Sequence, residues 1–539
     1  MARSLRIATP LCLVAVLLLP GPRAAAAASE LPPRNPWLAD SSYPIGHGTA
    51  AQQDAVSQAG PSGPGRPLAP QEIQWAPVGP AHFGANTSSP YPDGRRVLWS
   101  NGLDRIVKID HDSFRVLATY FFPDAHRYTE EEAEESIAGF DRSNSGLFAI
   151  VRALGEARKL RDLSGVYTLL DAENVYYIGD KAGVITAYGD SVPGDPASPI
   201  EKRREFRLPP EATGLLIGMN MTFDGWLLVA TEHGTLVAVK RDFSEHRVVR
   251  LLHSEGAENK ASGPGYGWVR NGFAVDEAGG IYVASQDHQH KVVWTGDRLS
   301  TDEALGAWTA SYPNAWGHGT GATPSLMGFG DEDRFVVITD GSPVMNVVLF
   351  WRDAIPSDWR ALLDAPDRRI AGMLAANMGD PAIQAIQSEQ SVVVAGTGAL
   401  VVNNAARNAP WYLPARARSL LVGYLGSNPD YQPFGVQKFN WNPRARRLEE
   451  AWVNREVSSP NCVPIASYAS NLVYLVGARN NRWTLEALDW ESGRSAFHYE
   501  IGGQRYDPLF AGTLVDEAGR IHFGTTWGRV RLDPRAASE

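Results

Sequence analysis

The sequence predicts an all-β protein, a β-propeller of four-stranded blades, and three observations predict it. One template recurs: an apolar strand, a turn holding Asp with Gly or Asn, and a β-rich strand ending in small residues. Its copies are YPDGRRVLWSNG (91–102), TLLDAENVYYIGD (168–180), MTFDGWLLVATEHG (221–234), VRNGFAVDEAGGIYVAS (269–285), MGFGDEDRFVVITDG (327–341), IQSEQSVVVAGTG (386–398), SYASNLVYLVGARN (467–480) and TLVDEAGRIHFGTTWG (513–528). The turns at 171, 224, 276 and 330 are 53, 52 and 54 residues apart, a length that four strands with their turns require. Most copies lead into further strand-like runs, such as GTLVAVKRDFSEHRVVRLLH (234–253) and WTLEALDWESGRSAFHYEIG (483–502). Repeated four-stranded units are what a propeller is made of.

Eight turn markers predict eight blades. Seven is the alternative, because the copies at 386–398 and 467–480 are the least regular. The final unit stops after its third strand, RVRLDP, so EIQWAPV (72–78) is expected to supply the fourth and tie the ring shut. The propeller then occupies residues 71–539 as one domain.

Two insertions break the period. Residues 129–163 read as helical, with Thr129 and Glu132 forming a capping box and glutamates 130–132 suiting the positive helix N-terminus. This segment is expected to be a solvated decoration. Residues 404–432 carry Trp411, Tyr412 and Tyr424 among prolines, and such a loop either caps a pocket or packs outside the ring.

The N-terminus reads as an export signal over residues 1–28. Arg3 and Arg6 precede the apolar LCLVAVLLL, and an alanine run supplies cleavage sites. That apolar run is too short for a permanent membrane anchor, so a periplasmic or extracellular location is expected. Residues 29–70, rich in Pro, Gly, Ser and Ala, read as a flexible arm. The formal net charge of −10 becomes −13 once Arg3, Arg6 and Arg23 leave with the signal, which argues against a nucleic-acid partner. Cys12 leaves too, so Cys462 has no disulfide partner within the chain and reads as a buried packing residue.

In a propeller, the loops between second and third strands emerge on the same face as the blade-to-blade loops, and that face brings many blades together. Here it is rich in carboxylates, amides, histidines and aromatics, as a polar small-molecule or sugar site requires. Trp268, Arg270, Asp287, Asn461 and Tyr506 are the candidate substrate-binding residues. Asn220, Asn271 and Asp340 offer amide and carboxylate oxygens suited to calcium. His233, His288 and His318 are candidate general bases. The DHQH run (287–290) places two histidines at strand spacing, but without the partner spacing of known metal motifs.

The RNGFAVDEAGGIYVAS pattern resembles the calcium-dependent propeller hydrolases of the SMP-30/gluconolactonase, paraoxonase and strictosidine-synthase-like group. That resemblance implies a metal-assisted lactone or ester hydrolase. Asn271 is matched by Met219, Val166 and Ala511 at equivalent positions, and Asn220 stands one residue out of register. LEALDWESGRSAFHYEIG is similar to the quinoprotein blade motif A-x-D-x-x-T-G-x-x-x-W, with Ser492 and Phe497 replacing Thr and Trp. That second resemblance implies a PQQ-dependent dehydrogenase, although the chain has neither an adjacent cysteine pair nor a CxxCH haem site. The third expectation is a non-catalytic platform for proteins or glycans.

Overall fold

The recurring turn aspartate has one physical job. In the computed structural model, Asp276 Oδ1 accepts the N–H groups of Ala278 and Gly280 at 3.0 and 2.7 Å, and Oδ2 accepts the Tyr282 hydroxyl at 2.6 Å. Asp171 repeats this with Glu173, Val175 and Tyr177, and Asp516 repeats it with Ala518, Arg520 and His522. The carboxylate closes the turn and also pins the side chain six residues on, fixing the second strand against the first. The structure describes residues 31–535 apart from 161–162, 164–166, 261–266 and 415–416; the expected signal segment lies outside them.

The chain forms eight blades, and the seven-blade alternative falls away. The inner strands are Asn86–Thr87, Thr168–Leu170, Leu216–Met221, Ala274–Val275, Ser325–Met327, Val393–Ala395, Ile465–Ser467 and Leu514–Val515. Each starts an antiparallel sheet that runs outward in chain order. The eighth is completed by Ile73–Ala76, paired antiparallel with Arg529–Leu532. The predicted closing strand is therefore the observed one. Second strands such as Leu227–Val229 and Val336–Val337 are wholly buried, because each blade packs both faces against its neighbours.

Residues 31–70 do not run free, as their composition suggested. They enter along the lower face, where Asn35 Nδ2 donates to the Met221 carbonyl at 2.9 Å, and then fill the central channel. Inner strands donate to arm carbonyls all round the ring: Thr87 to Tyr43, Leu170 to Pro44, Val275 to Ala50, Leu326 to Ala51, Val394 to Gln53 and Ala466 to Asp54, at 2.8–3.0 Å. The third blade contributes Asn220 Nδ2 to the Ala50 carbonyl at 3.1 Å, and the eighth contributes Glu517, which accepts from Ser42 N at 2.7 Å. The arm thus touches all eight blades. Ala55–Val56 then pairs parallel with the seventh inner strand, and Arg66–Pro67 pairs parallel with its outermost strand. Small side chains are what a narrow channel admits, so the composition of a linker here serves a plug.

Both insertions lie on the upper face and pack on each other. Helices α1 (Glu130–Arg142) and α2 (Gly146–Lys159) come from the first, and α3 (Ser419–Leu425) from the second. The expected capping box is present, with Thr129 Oγ1 accepting from Glu132 N and Glu132 Oε2 from Thr129 N. The helical segment is nonetheless not a solvated decoration. Phe140, Ala149, Ile150 and Ala153 form one apolar cluster with Leu421, Tyr424 and Leu425, and the rings of Phe140 and Tyr424 stack at 5.8 Å. The ring is plugged below and capped above. No helix among the described residues is long and apolar enough to cross a membrane.

Candidate functional site

The arm brings two titratable side chains to the axis. His47 Nδ1 lies 2.8 Å from Asp54 Oδ2. The Asp54 side chain is 1% exposed, whereas that of His47 keeps 13%. A carboxylate on Nδ1 fixes the neutral tautomer that carries its proton there, leaving the lone pair on Nε2. The loop between them is closed on itself: Thr49 and Asp54 both donate to the His47 carbonyl at 3.1 Å, and Gln52 Nε2 reaches the carbonyls of Gly46 and Thr49. His47, Gln52 and Asp54 all hold positive φ, at 61, 58 and 51°. Three non-glycine residues in the left-handed region within eight positions store strain, and such strain concentrates where geometry serves function.

The surroundings are polar and come from several blades. The Tyr43 hydroxyl accepts the His47 backbone N–H at 3.0 Å. The Tyr167 ring centre lies 6.3 Å from that of His47, and its hydroxyl is 3.4 Å from Thr323 Oγ1. Burial raises the carboxyl of Asp54 above its usual range, with His47 opposing the shift. Cys462 is close enough to feel the charge of Asp54, but its thiol is pushed up to about 12 by burial and donates to the Ala511 carbonyl at 3.1 Å. It is a packing residue and no nucleophile.

The sequence-predicted residues are scattered around this axis. His233 sits above the third blade, 3.1 Å from Thr213 Oγ1. His288 pairs with Asp287 at 2.9 Å and stacks on His253 at 4.6 Å. His290, from the same run, is buried between Ser285 and Thr309, and burial brings its pKa down to about 3. His318 is exposed, and its carbonyl accepts from Arg270, which also pairs with Glu389 at 2.8 Å. Trp268 is buried against the His290 ring, and Tyr506 is half-buried beside α1.

The expected calcium ligands have separate engagements. Asn220 Nδ2 serves the Ala50 and Phe273 carbonyls. Asn271 Nδ2 serves those of Thr320 and Ala322, at 3.1 and 3.3 Å. Asp340 caps its own loop through Ser342 and Asn346. Among the described residues, no group of three or more His, Cys, Asp or Glu side chains is arranged to hold a metal ion. Asn461 belongs to the cap anchor: its Nδ2 donates to the Val422 and Gly423 carbonyls and to Asp507 Oδ1.

Sequence reasoning missed His47, Asp54 and Tyr43. The available signal was a run of chemically capable residues, YPIGHGTAAQQD (43–54), inside a segment otherwise poor in them.

Fold and site together define an eight-bladed propeller that carries its own axial plug and helical cap. No known protein-family profile matches the chain. An uncharacterized protein of Archaeoglobus fulgidus is 33% identical over 458 residues, covering 83% of this chain and 79% of that one. The chain belongs to the family of that protein. Among solved structures, the quinohemoprotein alcohol dehydrogenase of Comamonas testosteroni aligns over 90% of this chain and 77% of its own, with a TM-score of 0.50 and 12% identity. The quinohemoprotein alcohol dehydrogenase ADHIIG of Pseudomonas putida HK5 gives 0.48 and 13%, over 92% of this chain and 77% of its own. At 12% identity the likeness to the Comamonas testosteroni enzyme shows the fold alone.

A quinone such as PQQ would make electrostatic demands on the axis. PQQ carries three carboxylates and needs several cationic partners. Two guanidiniums act on this neighbourhood, Arg529 on Tyr43 and Cys462 and Arg270 on Tyr167, and the carboxylate of Asp54 acts on all three groups.

Proposed function

We propose that this protein is an exported hydrolase acting on a small polar ester or lactone at the ring axis, with His47 as general base. The observation that carries the reading is the His47–Asp54 pair, held in left-handed backbone within the channel. His47 Nε2 takes a proton from water as the water oxygen bonds to the acyl carbon. Asp54 holds the ring in orientation and offsets the imidazolium charge. The acyl–oxygen bond then breaks, and the proton passes to the departing alkoxide. General-base assistance of this kind contributes about 10²–10⁴-fold. The N-terminal basic and apolar segment supports export.

The test is a panel of sugar lactones and short-chain esters, assayed with wild type, His47→Ala and Asp54→Asn. Turnover by wild type that falls at least about a hundred-fold in His47→Ala supports the reading. Wild type inactive on the whole panel overturns it and leaves the non-catalytic platform standing, whereas His47→Ala as active as wild type overturns the assignment of His47 as the base.

A further inference from the structure

Arg529 opens the third strand of the eighth blade and is wholly buried. Its Nη1 donates to the His82 carbonyl at 2.9 Å, while Nε and Nη2 have no protein partner. Those two nitrogens share one edge of the guanidinium, the edge that grips a carboxylate through two parallel N–H···O bonds. This protein uses the same edge twice elsewhere. Arg105 Nε and Nη2 hold Asp104 at 2.8 and 2.6 Å, and Arg479 holds Glu486 at 2.8 Å through both. Arg529 presents that fork with no carboxylate in it.

A buried guanidinium without a counter-charge is costly, and burial lowers the pKa of Arg529 to about 10. Other buried cations find relief: Lys108 meets Asp190 at 2.5 Å, and Arg520 meets Asp516 at 2.7 Å. Arg352 also keeps two unpartnered nitrogens, but they are Nε and Nη1, which share no edge, and its charge lies 4.9 Å over the Phe329 ring. Beside Arg529 in the same hairpin, the Thr525 hydroxyl is buried and unpartnered as well. The charge of Arg529 reaches Tyr43, whose hydroxyl accepts the His47 N–H. The fork is therefore in the electrostatic neighbourhood of the axial pair.

We propose that Arg529 binds the carboxylate of a small organic acid through its Nε–Nη2 edge. Assigning that acid to the substrate or product rests on the His47 reading, since ester or lactone hydrolysis releases a carboxylate; the binding itself does not. Two free N–H groups on one edge match two coplanar oxygens, whereas a phosphate dianion would call for a second cation.

Isothermal titration of the mature protein with lactate, neutral lactamide and inorganic phosphate tests this. Lactate is expected to bind saturably, and the other two more weakly. Arg529→Lys keeps the charge but loses the fork, so affinity for lactate should fall about ten-fold or more; Arg529→Gln should abolish it. The ligand-free Arg529→Gln protein should melt no lower than wild type, which a merely structural arginine would not permit. His47→Ala should keep lactate affinity while losing turnover, so the two readings fail separately. No lactate binding by wild type, equal binding of lactamide, phosphate bound more tightly than lactate, or unchanged affinity in both Arg529 variants overturns the proposal.

Discussion

His47 Nδ1 and Asp54 Oδ2 meet at 2.8 Å at the two ends of a loop that belongs to no blade. If the pair is catalytic, Asp54→Asn preserves shape while reversing the hydrogen-bond polarity at Nδ1. Turnover should drop about 10²-fold or more with KM little changed. Steady-state kinetics check this, and a change confined to KM would assign Asp54 to binding.

Asn220 offers a contrast between scaffold and metal site. Its Nδ2 holds the Ala50 and Phe273 carbonyls, and its Oδ1 accepts from Met221 N at 2.8 Å, with the residue wholly buried. Asn220→Ala removes the side-chain donor to the buried Phe273 and Ala50 carbonyls, of which Ala50 keeps Val275 N, and should cost about 1–3 kcal/mol in urea unfolding. Calcium or a chelator should shift neither wild type nor variant. A calcium-dependent rise in wild-type Tm that Asn220→Ala and Asn271→Ala both lose would restore the calcium assignment.

The blades were legible because their determinants are local. Asp276, Asp171 and Asp516 act on residues two, four and six positions on, so their chemistry is written within one turn and recurs with the period. The closing strand at 73–76 was legible for a related reason: the last unit is one strand short. The axial site was not legible, because the contacts that fix its segment within the ring are distant in sequence, although His47, Asp54 and Tyr43 lie close together along the chain. Ser42 meets Glu517 and Arg529 meets His82 across separations of 475 and 447 residues. Local pattern carries no information at that range. A Gly- and Ala-rich stretch reads as a linker unless something narrow encloses it, and the enclosure exists only in the folded ring. The resemblances drawn from single blades likewise reported the fold.

Phe140 stacks on Tyr424 across the two insertions and is 2% exposed. Phe140→Ala removes the contact that joins α1 to α3 and should cost about 3–4 kcal/mol where the helices meet. The blades should hold, since the cap contributes no strand to them. Limited proteolysis should cut faster within 129–163 while far-UV circular dichroism stays near wild type. Equal cleavage rates would mean that the cap is held by its polar anchors alone.

Those anchors converge on Asp507, which predicts a pH-dependent cap. Its carboxyl is buried and accepts from Asn461 Nδ2 at 3.0 Å, Leu509 N at 3.1 Å and Gln504 Nε2. Gln504 Nε2 and Asn461 in turn hold the last carbonyls of α3. Burial outweighs these hydrogen bonds and raises the Asp507 pKa to about 7, against 3.8 for an ordinary aspartate. A folded-state pKa above the unfolded one means the native protein binds the proton more tightly. The associated stability is complete below the unfolded value and is lost as pH rises through about 7. Tm should therefore fall between pH 5 and pH 8, and the cap should become more protease-sensitive over the same range. Asp507→Asn keeps an acceptor but removes the titration, so its profile should be flatter across that window. If wild type and Asp507→Asn show parallel Tm profiles, Asp507 is not the group that loosens the cap.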